Sequence, residues 1–446
     1  MIWEILMAMS FQPPKGTCDL LPDKMILRGI IVDGIRRVFE NYGYEPMETP
    51  AFESCPLLEI KCGEDIREQI YKFKDKGGRD LGLRYDLTVP LARVVASNPQ
   101  LPKPFKRYCI SRVWRYEKPT ATRRREFFQC DVDIVGSPDP ISDAEVVAVA
   151  ADCLEALGLS NFLVRLNNRK ILEGMLEYVG VSGDRALDVF RAIDKLAKIG
   201  REGVKGELRK IGVAPPASSK LLDLICKEGE PKGVLDYAKG LLKGITAAEG
   251  GCRELELVVS HLKRFGLPEE RLRVDLSLAR GIDYYTGPIF EVIMEGDEDV
   301  GSVAGGGRYD TLIELCGGRA TPATGISLGV DRIAEIIERR RSLPVPRIIA
   351  KVFVAPADDS MRSEAVAIVQ ELRRGNIASD IDLAKRRLAA QLEYASKRGF
   401  PYAVIVGKRE LQQGSVLLRD MTARTQRIVK RDKLVEVLRG LVTPKG

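Results

Sequence analysis

The sequence predicts an α+β protein: an antiparallel sheet domain, interrupted by a helical insertion and followed by a C-terminal α/β domain. Three observations predict it. Residues 105–117 and 125–135 alternate polar and apolar side chains on either side of the polar stretch KPTATRR, the pattern of two long antiparallel strands. From about 182 to 262 strand signals nearly vanish, and helical spacing is broken by VGVSGD, GVAPPASS, GEPKG and AEGG. Beyond Arg347 the short apolar runs KVFVAP, NIASDI and YAVIVG alternate with helical stretches at 361–374 and 384–398, a βαβ pattern with a mostly parallel sheet.

The other elements follow in order. Residues 23–42 space apolar side chains at three and four, an amphipathic helix that Gly43 ends. GYEPMETPAFES is extended, and Pro46 and Pro50 confine it to a sheet edge. Residues 70–86 read as a hairpin turning at DKGGRD. Residues 142–157 form an Ala/Val-rich helix. Strands follow the insertion at 272–278, 288–295 and 301–306, then a helix opens at Gly329, and RSLPVPR is a linker. The expected division is 10–181 and 263–340 for the sheet domain, 182–262 for the insertion and 347–446 for the last domain.

A chain of 446 residues exceeds one ordinary core. No apolar run approaches the roughly 18–20 residues of a membrane span. The opening MIWEILMAM contains Glu4 and has no basic flank, so it reads as a tail, or as an extension before a start at Met9, rather than as a secretion signal. The nine cysteines are scattered without a C-x-x-C pair, which argues against a disulfide framework or zinc ribbon and fits the reducing cytoplasm. The one histidine, His261, excludes a multi-histidine metal site and makes Ser–His or Cys–His catalysis a poor fit. Arginines, carboxylates and backbone groups are left to do the chemistry. Residues 347–446 hold 20 Lys and Arg against 11 Asp and Glu, a net of +9, while the rest of the chain nets −2. A basic block on a near-neutral body suits a polyanion, nucleic acid ahead of membrane; solubilising surface charge is the alternative.

Five clusters hold residues suited to a charged ligand. In the strand pair, Arg115 and Glu117 share a face, and Arg123, Arg125, Gln129, Asp131 and Asp133 recur at even spacing. That mixture suits a ligand with anionic and cationic groups, although a solvated sheet face would also be polar. In RYDLTVP, Asp86 is placed to hold an ammonium group, and Thr88 has the chemistry of a helix N-cap. In LARGIDYYTG, Arg280 at a strand end beside Gly281 can reach a phosphate or carboxylate, or can pair with Asp283. VAGGGRYD offers three glycines that can approach a ligand closely or form a tight turn, and it is neither a Walker nor a dinucleotide motif. In GISLGVDR, a helix N-terminus at Gly329 and Arg332 one turn in can face one anion.

Together these clusters resemble the histidyl-tRNA synthetase family of class II aminoacyl-tRNA synthetases, from about Pro13 to the C-terminus. RYDLTVP is similar to the archaeal and eukaryotic branch. GYEPMETPAF resembles motif 1, the dimer-interface element. RVWRYEKPTATRRREFFQCDVD resembles motif 2 and GISLGVDR motif 3. LARGIDYYTG and AGGGRYD resemble the two histidine-specific signatures.

The resemblance implies a class II catalytic domain on an antiparallel sheet, with a C-terminal anticodon-binding domain. It implies a cytoplasmic homodimer that activates histidine with ATP and Mg²⁺ and charges tRNA(His). Asp86, Thr88 and Gln129 would hold the histidine ammonium. Asp133 and Tyr285 would read the imidazole, with Tyr284 and Tyr309 closing the pocket. Arg115 and Arg280 would be catalytic, gripping the carboxylate and the α-phosphate. Glu117, Arg123 and Arg332 would contact the rest of ATP. The resemblance names no Mg²⁺ ligands. One departure stands out: the family's Gly-Arg-Tyr-Arg-Glu is Thr122-Arg123-Arg124-Arg125-Glu126 here. A non-charging paralogue, the regulatory subunit of ATP phosphoribosyltransferase, shares the fold. It lacks the C-terminal domain and tends to lose the signature arginines, and this chain has both.

Overall fold

A computed structural model describes residues 11–120, 123–280 and 284–442. The tail reading of residues 1–9, the Thr122 departure, and Gly281 and Asp283 lie outside the described residues. The chain forms two compact units, one of residues 11–19 and 28–343, the other of residues 20–27 and 344–442.

In the first unit, helix Pro22–Asn41 enters from the second unit's first residues and leads to β1 (Glu45–Pro46). A small sheet follows from β2 (Phe52–Ser54), β3 (Lys72–Lys74) and β4 (Asp80–Leu83), in the order β2-β4-β3. The hairpin expected at 70–86 is its β3–β4 pair, with Asp75 Oδ1 accepting from the backbone of Gly77 and Arg79 at 2.9 Å each. Then come β5 (Phe105–Trp114), β6 (Glu126–Val135), β7 (Phe162–Asn168), β8 (Leu272–Val274), β9 (Pro288–Met294), β10 (Ala304–Arg308) and β11 (Ala323–Gly329).

These make one eight-stranded sheet in the order β1-β5-β6-β11-β10-β9-β7-β8. Its six central strands pair antiparallel, and β1 and β8 add parallel edges. The first long strand stops at Trp114 rather than running to 117; one further bond toward the return strand, Arg115 N to Arg125 O at 2.9 Å, follows before the chain turns.

Helix Pro140–Ala156 packs against β11 and helix Thr246–Arg264. Asp139 caps it through Ile141 N at 2.9 Å, an interaction typically worth about 1 kcal/mol. Its Ala and Val side chains are buried almost all round, as a helix sandwiched between layers requires. Between β7 and β8 the described chain is helical, including Ala186–Asp194, Leu196–Lys210, Pro215–Ile225, Pro231–Leu241 and Thr246–Arg264. His261 lies in the last turn of that final helix.

The second unit is a five-stranded sheet: β12 (Val352–Pro356), β13 (Ser379–Ile381), β14 (Tyr402–Val406), β15 (Ser415–Asp420) and β16 (Gln426–Lys430), ordered β13-β12-β14-β15-β16. β12 pairs parallel with β13 and β14, as the βαβ pattern predicts. The β15–β16 hairpin adds two antiparallel strands that the pattern did not predict, since four of the five β16 side chains face solvent and leave no apolar alternation. Val352, Val354, Ile368, Leu372, Val404, Val416, Leu434 and Leu438 form its own core.

Candidate active site

The site lies on one face of the eight-stranded sheet. Gln129, Asp131 and Asp133 point the same way from β6 because strand side chains alternate. Register sets their neighbours. Gln129 lies between Ser111 and Gly329, Asp131 between Cys109 and Ser327, and Asp133 between Arg107 and Gly325.

Asp133 has two side-chain partners. Tyr309 Oη donates to its Oδ1, and Arg107 Nη2 lies 2.8 Å from its Oδ2 without good hydrogen-bond alignment. Both partners of this ion pair are buried, at 0% and 2% side-chain exposure, so each charge depends on the other. Burial raises the Asp133 pKa, with Arg107 opposing. Arg107 also donates to Leu87 O at 2.9 Å. The sequence reading gave Arg107 no role. The available signal was its parity with Cys109 and Ser111, which puts a charge on the sheet face that carries Asp133.

Asp86, one residue before the N-cap position Leu87, supplies the side-chain bond to the helix start. Its Oδ1 accepts from Val89 N at 3.1 Å, and Thr88 begins helix Thr88–Ser97 instead of capping it. The Asp86 side chain reaches past its neighbours to the buried amide of Val89, which leaves the Thr88 side chain uncommitted to the cap. Tyr284 Oη donates to Asp86 Oδ2 at 3.1 Å and comes near Thr88. Burial raises the pKa of Asp86, and the Val89 amide and the Arg115 charge act against it. The rings of Tyr285 and Tyr309 lie 5.1 and 5.9 Å from that of Tyr284, edge to face.

Arg280 adopts φ +49°, the left-handed region that bulky residues avoid. Nη1 donates to Phe290 O at 2.9 Å, and the guanidinium faces the Tyr285 ring. Burial opposes its charge, but Tyr285, Glu291, Tyr284 and Asp194 together favour it.

The glycines of VAGGGRYD supply room for these side chains. A Cβ at Gly305 would collide with the Arg280 guanidinium, and one at Gly307 would lie 2.7 Å from the Tyr285 ring. On the neighbouring strand, a Cβ at Gly325 would strike Asp133 Oδ1. In the same motif Arg308 is structural. It donates to Asp143 Oδ2 at 2.6 Å and to Ser137 O at 3.0 Å, and Asp143, raised to about 6 by burial, is held charged largely by it.

A second group of residues is cationic. Arg115 donates to Tyr85 O at 3.0 Å and stacks on Phe127. Arg123 lies 3.5 Å from Glu117. Arg332 donates to Ser302 O. Burial lowers the Arg332 pKa, and the nearby positive charges of Arg123 and Arg115 lower it further, against weaker help from Glu117 and Glu291. Three arginines with little counter-charge make a seat for a polyanion. Arg125, grouped with them by spacing, turns aside. It stacks 3.8 Å over Tyr116 and donates to Glu117 O, bracing the loop against residues 15–16. Arg124, the departure, lies 3.5 Å from Asp331, which also holds Arg28 at 2.6 Å and the Phe128 amide at 2.8 Å.

The structure therefore gathers Asp86, Thr88 and Tyr284 in one set, Asp133, Tyr309 and Arg107 in a second, Tyr285 and Arg280 in a third, and Arg115, Glu117, Arg123 and Arg332 in a fourth. Gln129 stands apart, its Oε1 buried and without a partner.

Comparison with known proteins covers the whole arrangement. The model of the histidyl-tRNA synthetase family matches residues 16–333, and that of the anticodon-binding domain matches residues 351–441. The chain is 43% identical to the histidine–tRNA ligase of Aeropyrum pernix over 413 residues, covering 91% of this chain and 93% of that one. It is 39% identical to that of Thermococcus kodakarensis over 431 residues, covering 96% and 98%. The crystal structure of histidyl-tRNA synthetase from Nostoc superposes with a TM-score of 0.84 at 32% identity, over 97% of this chain and all of that one. With both family models matched in order over most of the chain, the chain belongs to the histidyl-tRNA synthetase family.

Proposed function

We infer that the protein is a histidine–tRNA ligase. It joins histidine to ATP as histidyl-adenylate with release of pyrophosphate, then passes the histidyl group to a hydroxyl of the 3′-terminal adenosine of tRNA(His), releasing AMP. The observation that carries this reading is the juxtaposition of two opposite environments on one face. The acidic, aromatic pocket of Asp86, Asp133, Tyr284, Tyr285 and Tyr309 suits a cationic amino acid. The cluster of Arg115, Arg123 and Arg332 suits ATP, with Arg115 and Arg123 toward its phosphates and Arg332 toward its adenine.

In adenylate formation the substrate carboxylate is already ionised, so no side chain need remove a proton. The protein positions the reactants and stabilises charge developing at the α-phosphorus. Arg280 and Arg115 are the residues for that task. Arg280 is held rigidly by the Phe290 carbonyl and by the vacancy at Gly305. Asp133 would accept from the imidazole beside the Tyr285 hydroxyl, with Tyr309 and Arg107 fixing its orientation. Asp86, Thr88 and Gln129 would hold the ammonium, and Glu117 and Arg332 the adenine side of ATP.

Among the described residues no three His, Cys, Asp or Glu side chains gather as a metal site. Mg²⁺ would fit here as an ion carried in on the triphosphate, and the residues present single out no protein ligand for it. Magnesium would supply charge neutralisation there, and no step is assigned to it.

Residues 347–446 would read the tRNA, and 182–262 would form a separate insertion within the catalytic domain. Motif 1 would place the chain in a cytoplasmic homodimer. No helix of the described residues is long and apolar enough to cross a membrane. The non-charging paralogue is disfavoured by the matched anticodon-binding domain and by the presence of Arg280.

ATP–pyrophosphate exchange measured with each amino acid separately tests the reading. Exchange should depend on histidine alone, and exchange with another amino acid, or with none, would overturn it.

A further inference from the structure

Asp131 lies in the middle of the site face; spacing groups it with Gln129 and Asp133, and the family resemblance gives it no role of its own. It sits between Gln129 and Asp133 on β6, directly across from Ser327 on β11. It is 3% exposed, and its Oδ1 has no hydrogen-bond partner. A buried carboxylate oxygen without a donor is costly, and native proteins rarely keep one without cause.

The other two carboxylates of this face each have a side-chain partner. Asp86 receives Val89 N and Tyr284 Oη, and Asp133 receives Tyr309 Oη and faces Arg107. Outside the Arg107–Asp133 ion pair, whose Asp133 Oδ2, Arg107 Nε and Arg107 Nη1 also lack aligned hydrogen bonds, the orphans are Gln129 Oε1, Asp131 Oδ1 and the hydroxyl of Ser327. Ser327 lies near enough to Asp131 to favour its charged form, but no well-aligned hydrogen bond joins them. Three unpartnered polar atoms thus stand on adjacent rows of two paired strands.

A primary ammonium brings three donors and one positive charge. Gln129 and Asp131, two residues apart on one strand face, are spaced to share such a group. The charge balance points the same way. Asp86, Asp131 and Asp133 all act on the Tyr285 hydroxyl, with Arg280 the cation that opposes them there, and Arg107 is the cation buried against Asp133. A site holding three carboxylates favours a cationic ligand.

We propose that Asp131 is a further specificity-determining residue, which accepts a charged hydrogen bond from the α-ammonium of the bound amino acid alongside Gln129. The inference rests on the reading of this pocket as the histidine site. It adds that the ammonium is gripped from the sheet floor as well as from the Asp86 side. Asp131 Oδ1 would gain its partner only when the ligand's charge arrives, which accounts for a carboxylate oxygen kept buried and unpartnered.

The test compares two ligands on the full-length wild type and on Asp131→Asn. Histidinol keeps both imidazole and ammonium. 3-(Imidazol-4-yl)propionate keeps the imidazole and lacks the ammonium. Affinities are measured by calorimetry or by competition in pyrophosphate exchange. Asp131→Asn should weaken histidinol by roughly 10–100-fold, the scale for a hydrogen bond to a charged group, and should change imidazolepropionate less than about threefold.

Equal losses for both ligands would overturn the inference, since Asp131 would then face the imidazole or merely support the pocket. No loss for either would overturn it as well. Asp131→Ala repeats the comparison if the asparagine variant is poorly folded, and retained imidazolepropionate binding reports an intact pocket in either variant. A wild type that does not bind histidinol would instead overturn the reading of the pocket, and the inference with it.

Discussion

The guanidinium of Arg280 occupies the space in which a side chain at Gly305 would begin. The two residues lie on separate segments, and one is defined by what the other lacks. Gly305→Ala should push Arg280 from its place while leaving the β9–β10–β11 ladder able to form. The turnover of histidine-dependent pyrophosphate exchange should fall by roughly 10²–10³, the range for losing one electrostatic stabiliser. Arg280→Ala should fall as far, and the double variant no further, because both changes remove the same group. Additive losses would show that Gly305 acts by another route.

Arg107 and Asp133 form a buried ion pair, and removing one partner strands the other charge. Arg107→Ala should destabilise the protein by about 3–5 kcal/mol, the usual scale for breaking such a pair. Urea denaturation measures it. Arg115→Ala, by contrast, removes a half-buried arginine with one backbone bond and should destabilise by no more than about 1.5 kcal/mol while still impairing exchange. Comparable stability losses for the two would contradict the distinction between scaffold and ligand arginines.

Asp131 sets a pH dependence of stability. Burial, reinforced by Asp133 and opposed by Arg107, lifts its pKa from 3.8 to about 7. The folded state therefore holds this proton more tightly than the unfolded chain does. That contribution is fully present below about pH 4 and is lost as the pH rises through about 7. Ligand-free wild type should lose stability over this range relative to Asp131→Asn, and the gap between their denaturation midpoints should widen up to about pH 8. A constant gap would show that Asp131 is already ionised throughout. Asp131→Asn would then be more stable above neutrality and poorer at histidine binding, a trade expected of a functional group buried at some cost.

The second unit has its own core, and the site residues all precede residue 344. A chain ending at Leu343 should keep much of its histidine-dependent exchange and lose most tRNA charging at physiological salt. Its mass in solution must first match that of the full-length assembly. Within the unit, Arg386 is tied to Asp382 at 2.7 Å and stacks on Tyr394, while Lys385 and Arg387 are exposed. Lys385→Ala and Arg387→Ala should each flatten the salt dependence of tRNA binding, whereas Arg386→Ala should act mainly on stability. A truncated assembly that charges tRNA as well as the full chain would return the basic block to a solubility role.

Much of the sheet was legible because alternation is a local signal. Residues 126–135 show their polar face in the sequence, and the structure finds Gln129, Asp131 and Asp133 on it. Register is not local. That Asp133 faces Arg107 depends on how two strands align across a loop whose conformation the sequence does not specify. The glycines of VAGGGRYD illustrate a second limit. They were legible as places of close approach, but what approaches is the Arg280 and Tyr285 side chains, brought from another segment. Thr88 shows a third. Thr and Asp both cap helices well, and only the observed turn lets the Asp86 side chain reach the amide of Val89.

The pairing of β6 with β11 also governs how the chain can be made. Asp133 lies opposite Gly325, so the central strand of the site has one edge unsatisfied until nearly three-quarters of the chain has left the ribosome. The whole helical run between β7 and β8 is synthesised in the meantime. Contacts this distant in sequence form slowly, and an open strand edge is a template for wrong partners. A nascent chain halted before β11 would present the β6 edge, with its carboxylates lacking the strand that completes their pocket, and synthesis of GISLG would be the event that closes it. A stop codon just ahead of Ala323 and one just after Gly329 should therefore yield products of very different solubility, although they differ by a single strand.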